Sequence, residues 1–186
     1  AEDAILATNT SSISVTSIAR DLRLPARVAG LHFFNPAPVM KLVEIVSSQM
    51  TNPAIAETLF DTATTWGKIA VHARSTPGFI VNRVARPFYA EALRLYEEQV
   101  ADPTTLDALM KGAGGYRMGP FELMDLIGND VNYAVSLSVF NSYYQDSRFR
   151  PSLLQLELVN AGHLGRKSGR GFYDYSDGAE RPAPRL

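Results

Sequence analysis

An α/β segment followed by a mainly α-helical domain is the fold class this sequence predicts, and three observations predict it. Apolar runs, the last of them rich in β-branched residues, stand at Ala4–Ala7, Val28–Phe34 and Lys41–Ser47. From Thr51 onward apolar residues recur at the three-to-four spacing of helices. The composition shifts near residue 48, which predicts a first domain over 1–50, a helical one over 51–175 and a linker or tail over 176–186.

Each element has its own local warrant. Ala4–Ala7 is a short buried-strand candidate, and Ser14–Leu22 follows as a brief helix with Val15, Ile18 and Leu22 on one face. Val28–Phe34 and Lys41–Ser47 read as strands; between them Asn35-Pro36-Ala37-Pro38 can continue neither and must turn. Asn52 before Pro53 is a cap-and-first-position signature, so a helix is expected to run to Trp66, with Gly67 ending it. Lys68–His72 adds a short strand. The longest helical pattern spans Phe79–Gln99, and Pro87 inside it should kink or divide it. Further helices are expected over Pro103–Lys111, Pro120–Ile127, Asp130–Gln145 and Ser152–Asn160, before a basic, glycine-rich and then aromatic stretch, Gly165–Asp174.

Composition excludes several function classes. Of 186 residues 46% are hydrophobic and 20% charged, the balance of a globular chain. Lys plus Arg number 18 against 19 Asp plus Glu, so no nucleic-acid or membrane-surface partner is expected. No apolar run approaches the ~18 residues of a membrane helix. The absence of cysteine removes disulfides and thiolate chemistry, and the three histidines lack metal-ligand spacing, so no metal is expected. The expectation is a soluble, cytoplasmic protein. The opening at Ala1, without methionine and four residues from an apolar run, suggests the later portion of a longer polypeptide.

His32 and Glu44 are the leading chemical candidates. A carboxylate inside Leu42-Val43-Glu44-Ile45-Val46 is costly to bury alone and needs a partner. If the two strands form a hairpin, the midpoint of positions 32 and 44 is Pro38, inside the predicted turn, so the side chains meet across the ladder. Such a pair orients an imidazole for proton transfer, or it is a structural ion pair. Asn9-Thr10-Ser11-Ser12 follows a strand and precedes a helix, where side chains either meet a ligand or cap the helix. Asn82, about one turn into a helix, hints at a hydrogen-bonding duty, and the basic loop 165–171 at phosphate contact or a solvated surface.

Six segments together resemble the 3-hydroxyacyl-CoA dehydrogenase family. They are Ala7-Thr8-Asn9-Thr10-Ser11-Ser12, Gly30-Leu31-His32-Phe33-Phe34-Asn35-Pro36, Val39-Met40-Lys41-Leu42-Val43-Glu44, Thr76-Pro77-Gly78-Phe79-Ile80-Val81-Asn82-Arg83, Gly119-Pro120-Phe121-Glu122-Leu123 and Gly165-Arg166-Lys167-Ser168-Gly169-Arg170-Gly171-Phe172-Tyr173. Finer details, such as Arg83-Val84-Ala85-Arg86-Pro87, resemble the branch that acts on 3-hydroxyadipyl-CoA in phenylacetate degradation. The resemblance implies NAD as cofactor, a 3-hydroxyacyl-CoA substrate, and a homodimer formed through the helical domain. It implies His32 as general base, Glu44 as the carboxylate that orients it, and Ser11 beside the reacting hydroxyl and the nicotinamide. Asn82 then positions the substrate, while Asn35 and Lys167 contact NAD.

One departure accompanies the resemblance. The family binds its dinucleotide on an N-terminal glycine-rich strand–turn–helix, and no such segment occurs here. The fold expectation is therefore an α/β remnant, the last strands of a Rossmann-type sheet, ahead of a complete helical domain. Catalysis is expected of the parent protein rather than of these residues alone, and the leading edge of the sheet should self-associate or be disordered unless other chain covers it. The alternative reading is a non-catalytic dimerisation or acyl-CoA-binding module.

Overall fold

The computed structural model describes residues 3–11, 13–176 and 178, and the backbone of 181–182. Ser12 and most of the expected tail lie outside the described residues. Two compact units divide the chain, residues 1–83 and 84–186.

The first unit is built on a four-stranded mixed sheet in the order β1 (Leu6–Thr8), β2 (Val28–Phe33), β3 (Leu42–Ser47), β4 (Ile69–Arg74). β1 runs parallel to β2, β2 antiparallel to β3 and β3 parallel to β4. The expected hairpin forms with His32 opposite Glu44. Alternation sorts the two faces of the sheet. Ala29, Leu31, Val43 and Ile45 pack against Ala56, Leu59 and Ala63 of helix α2 (Pro53–Thr65). Val28 and Val46, on the opposite face, pack with Val15 and Ala19 of helix α1 (Val15–Arg20) and with Phe79. His32 and Glu44 share this second face by the same alternation. Val43, Ile45 and Val46 are fully buried, each contributing roughly 1.5–3 kcal/mol. Ser14 caps α1 by accepting from Ser17 N, and Asn52 caps α2 by accepting from Ala54 N.

β4 sets the extent of this unit. It pairs with β3 along its whole length after a crossover through α2, so the sheet continues well past residue 50, where the composition shift had placed the boundary. Strand β1 begins two residues later than expected, and its outer edge has no strand partner among the described residues.

The second unit holds the larger part of α3 (Val81–Glu97), then α4 (Pro103–Gly112), α5 (Pro120–Ile127), α6 (Asn129–Ser142) and α7 (Leu153–Asn160). α3 begins two residues after the expected start and runs undivided through Pro87. The core gathers Tyr89, Leu93, Leu106, Phe121, Met124, Leu158, Phe172 and Tyr173, with the Phe121 and Phe172 rings edge to face at 4.8 Å. Two buried aspartates tie the helices to the C-terminal segment. Asp107 accepts from Phe121 N and Glu122 N, capping α5 from α4, and from the Tyr173 hydroxyl. Asp125 accepts from Phe172 N, Tyr173 N, Asn129 Nδ2 and the Tyr175 hydroxyl. A Cβ at Gly165 or Gly171 would overlap Asp125, so these two glycines serve this close approach. β5 (Tyr173–Asp174) pairs with β6 (Arg181–Pro182), so part of the segment read as a linker or tail is a strand.

Candidate active site

His32 stands on β2 at 3% exposure and Glu44 opposite it on β3 at 0%. Glu44 Oε2 lies 2.7 Å from His32 Nδ1. The other carboxylate oxygen, Oε1, accepts from Ile80 N at 2.9 Å and Val81 N at 3.0 Å, at the start of α3. Free N–H groups at a helix N-terminus suit an anion. Burial works to raise the Glu44 carboxyl, but the hydrogen bond to His32 and the Val81 and Ile80 N–H groups outweigh it. The group is held below the ordinary glutamate value.

An ionised carboxylate can only accept, which assigns the imidazole tautomer. Nδ1 therefore carries a hydrogen and donates it to Glu44, and in the neutral imidazole Nε2 keeps its lone pair. Ser11 Oγ lies 3.2 Å from Nε2 and donates to it. Ser11 is exposed in the loop beyond β1, and that loop is tied to β2 by Asn9 Oδ1, which accepts from Phe33 N at 2.9 Å. Asn9 thus extends the β1–β2 ladder, and Ser14 rather than Ser11 caps α1. The Phe34 and Phe79 rings stand edge-on to the imidazole, with centroids 4.7 and 5.5 Å from it. A neutral, oriented histidine with one nitrogen turned toward an exposed hydroxyl can take a proton from an alcohol.

The remaining predicted residues fall in different places. Asn82 lies in the first turn of α3, half-buried, next to Val81. Asn35 is exposed in the turn after β2, where its bond to Pro36 is cis. Ser11 and Asn35 therefore offer a hydroxyl and an amide beyond the carboxyl ends of two parallel-sheet strands, the position where open α/β sheets bind ligands. That donor set suits the carboxamide end of a nicotinamide. Lys167 belongs to the second unit, where its Nζ pairs with Asp130 at 2.6 Å. Arg86 is buried, donates to Asn132 O and Ser136 Oγ and lies over the Tyr89 ring, so it braces α3 against α6. Sequence reasoning missed the Ile80 and Val81 donors and the two phenylalanine walls. The Thr76-Pro77-Gly78 turn before a helix was the available signal, because a buried carboxylate seeks such a helix start.

Two family models cover nearly the whole chain. The NAD binding domain of 3-hydroxyacyl-CoA dehydrogenase matches residues 1–76, and the C-terminal domain of 3-hydroxyacyl-CoA dehydrogenase matches residues 78–175. The chain is 59% identical over 179 residues to the 3-hydroxyadipyl-CoA dehydrogenase of Escherichia coli (strain K12), covering 96% of this chain and 37% of that protein. It is 43% identical over 175 residues to the 3-hydroxybutyryl-CoA dehydrogenase of Clostridioides difficile, covering 94% of this chain and 62% of that protein. The crystal structure of 3-hydroxybutyryl-CoA dehydrogenase from Escherichia coli K12 superposes with a TM-score of 0.92 at 59% identity, covering 97% of this chain and 38% of that one. The chain thus spans between 37% and 62% of the length of these relatives. With both domain models matched in order and the sheet and helices superposing, the chain belongs to the 3-hydroxyacyl-CoA dehydrogenase family, whose NAD binding domain its first 76 residues match.

Proposed function

We propose that this chain carries the proton-transfer site of an NAD-dependent 3-hydroxyacyl-CoA dehydrogenase, with His32 as the general base. The observation that carries the reading is the division of labour on the imidazole. Nδ1–H is committed to an ionised Glu44, so Nε2 keeps its lone pair beside Ser11. NAD, when bound, supplies the acceptor for the hydride that leaves C3. His32 Nε2 takes the proton of the substrate 3-hydroxyl as that C–H bond breaks, and the C3–O bond becomes a carbonyl. Glu44 stabilises the imidazolium that results. Ser11 stands beside the reacting hydroxyl and the nicotinamide and hydrogen-bonds to the reacting oxygen. Asn82 positions the acyl group; Asn35 and Lys167 are assigned to NAD, which requires Lys167 to share its contact with Asp130.

The acyl group is read as that of a 3-hydroxyadipyl thioester, on the strength of the 59% identical relative of that name, although the equally identical crystal structure is named for the butyryl compound. A distal carboxylate needs a cation, and Arg83, next to Asn82 on the first turn of α3, is the assigned partner. Pairing of two copies through the helical unit is supported by the exposed apolar side chains Val84, Leu126, Ile127 and Val131.

His32→Ala tests the base in the full-length protein with NAD and a 3-hydroxyacyl-CoA. The expected loss in kcat is about 100-fold or more. Undiminished turnover would remove His32 from the mechanism. A higher kcat/KM for 3-hydroxybutyryl-CoA than for 3-hydroxyadipyl-CoA would overturn the acyl assignment alone.

A further inference from the structure

Four non-glycine residues among those described have a positive φ: Phe79 at 47°, Gln99 at 59°, Tyr144 at 54° and Gln145 at 65°. The last three are exposed just beyond helix ends. Phe79 alone is buried, at 4% exposure. An L side chain in the left-handed region crowds its own backbone, and a bulky one stays there only where the surroundings require it. Glycine would remove the strain, as it does at the preceding Gly78, φ 75°. What the phenyl ring and the next two amides touch accounts for the residue.

Both lead to the same pair. The ring stands edge-on to the His32 imidazole, 5.5 Å between centroids at 68°, and belongs to the buried cluster of Val15, Ala19, Val28, Val46 and Ala73. The chain leaving Phe79 brings Ile80 N and Val81 N to within 2.9 and 3.0 Å of Glu44 Oε1. Phe79 N itself is held by Thr76 O at 2.9 Å, which closes the turn.

We propose that Phe79 is a positioning residue for the His32–Glu44 pair. Its left-handed backbone aims two N–H groups at the carboxylate. Its ring holds the imidazole in the rotamer that turns Nδ1 to Glu44 and Nε2 to Ser11. This deepens the assignment of His32 as base and rests on it for its catalytic consequence; the geometric claim stands apart from it. Loss of the ring should let the imidazole rock and populate both tautomers, so that part of the protein presents a protonated Nε2 that cannot accept.

The experiment is nitrogen NMR of histidine-labelled protein, read alongside steady-state kinetics of the full-length enzyme with NAD and a 3-hydroxyacyl-CoA. The parent should show His32 as a single Nδ1–H tautomer, slow exchange of the Ile80 and Val81 amides, and Overhauser contacts from the Phe79 ring to the His32 ring. In Phe79→Leu the two ring-nitrogen shifts should move toward each other, and kcat should fall about tenfold while KM changes less than about twofold. Phe79→Met, which fills more of the space without a ring, gives the same readout if Phe79→Leu does not fold. Unchanged His32 nitrogen shifts in a folded variant would overturn the proposal. So would absent ring contacts or fast amide exchange in the parent, which need no variant at all. Turnover surviving in His32→Ala would instead sink the base assignment and leave these signals as they are.

Discussion

Glu44 faces His32 with one oxygen and the start of α3 with the other, so three N–H donors converge on a single carboxylate. No neutral side chain of the same shape can receive all three. A glutamine has one acceptor oxygen and one NH2 group. If its oxygen takes the Ile80 and Val81 amides, its NH2 faces Nδ1, which must then lose its hydrogen and leave Nε2 protonated. If its oxygen takes His32, its NH2 points at two backbone donors.

Glu44→Gln should therefore lower kcat by about 100-fold or more, through the wrong tautomer or a displaced ring, with a smaller change in KM. Unchanged kcat would make Glu44 a structural partner only.

Ser11 makes a weaker demand. Its hydroxyl sits 3.2 Å from Nε2 and it is exposed, so its removal leaves the histidine and glutamate in place. Ser11→Ala should reduce kcat/KM about tenfold, the value of one lost hydrogen bond of about 1.4 kcal/mol in the transition state. A variant as active as the parent would show that the hydroxyl only fills space beside the imidazole.

The hairpin was legible because register is arithmetic: two runs around a proline turn place His32 opposite Glu44 whatever else the fold does. The cap at Asn52 was legible for the same local reason. The extent of the first unit was not, although β3, α2 and β4 form a strand–helix–strand crossover visible in the letters of 42–74. The shift toward helical composition outweighed it, and the pairing that decides the matter lies 27 residues away, Leu42 with Ile69. The donors on Glu44 were hidden for a different reason, since a backbone N–H has no letter. Asp107 and Asp125 have no local sequence signal for burial; only the meeting of α4, α5 and residues 171–175 buries them.

That meeting predicts where the second unit is vulnerable. Asp125 is 1% exposed and receives four donors, two of them backbone amides of the segment it holds. Asp125→Ala orphans those donors, at a cost of roughly 1–3 kcal/mol for each buried group left unpaired. The transition temperature should drop by several degrees, and Phe172 and Tyr173 amide exchange should accelerate more than that of α7. Equal acceleration across the unit would mean the aspartate supports the core generally rather than the C-terminal segment.

Acid should act on the two units in opposite directions. Glu44 is held below the ordinary glutamate value of 4.5, so the folded first unit binds fewer protons there than the unfolded chain. Its contribution is complete above 4.5 and is lost as the pH falls through the lower folded value. Asp107 and Asp125 are shifted the other way. Burial raises both above the ordinary aspartate value of 3.8, and the N–H and O–H donors around them offset only part of the rise. Between neutral pH and 3.8 the folded second unit takes up protons that the unfolded chain does not, so these groups favour folding more as the pH falls. Hydrogen exchange from pH 7 to pH 3, corrected for intrinsic rates, should therefore show β2 and β3 losing protection before Phe121 and Met124. Glu44→Gln should remove the acid step from the sheet and leave that of the helices unchanged; a step that persists in the sheet would assign it to another carboxylate.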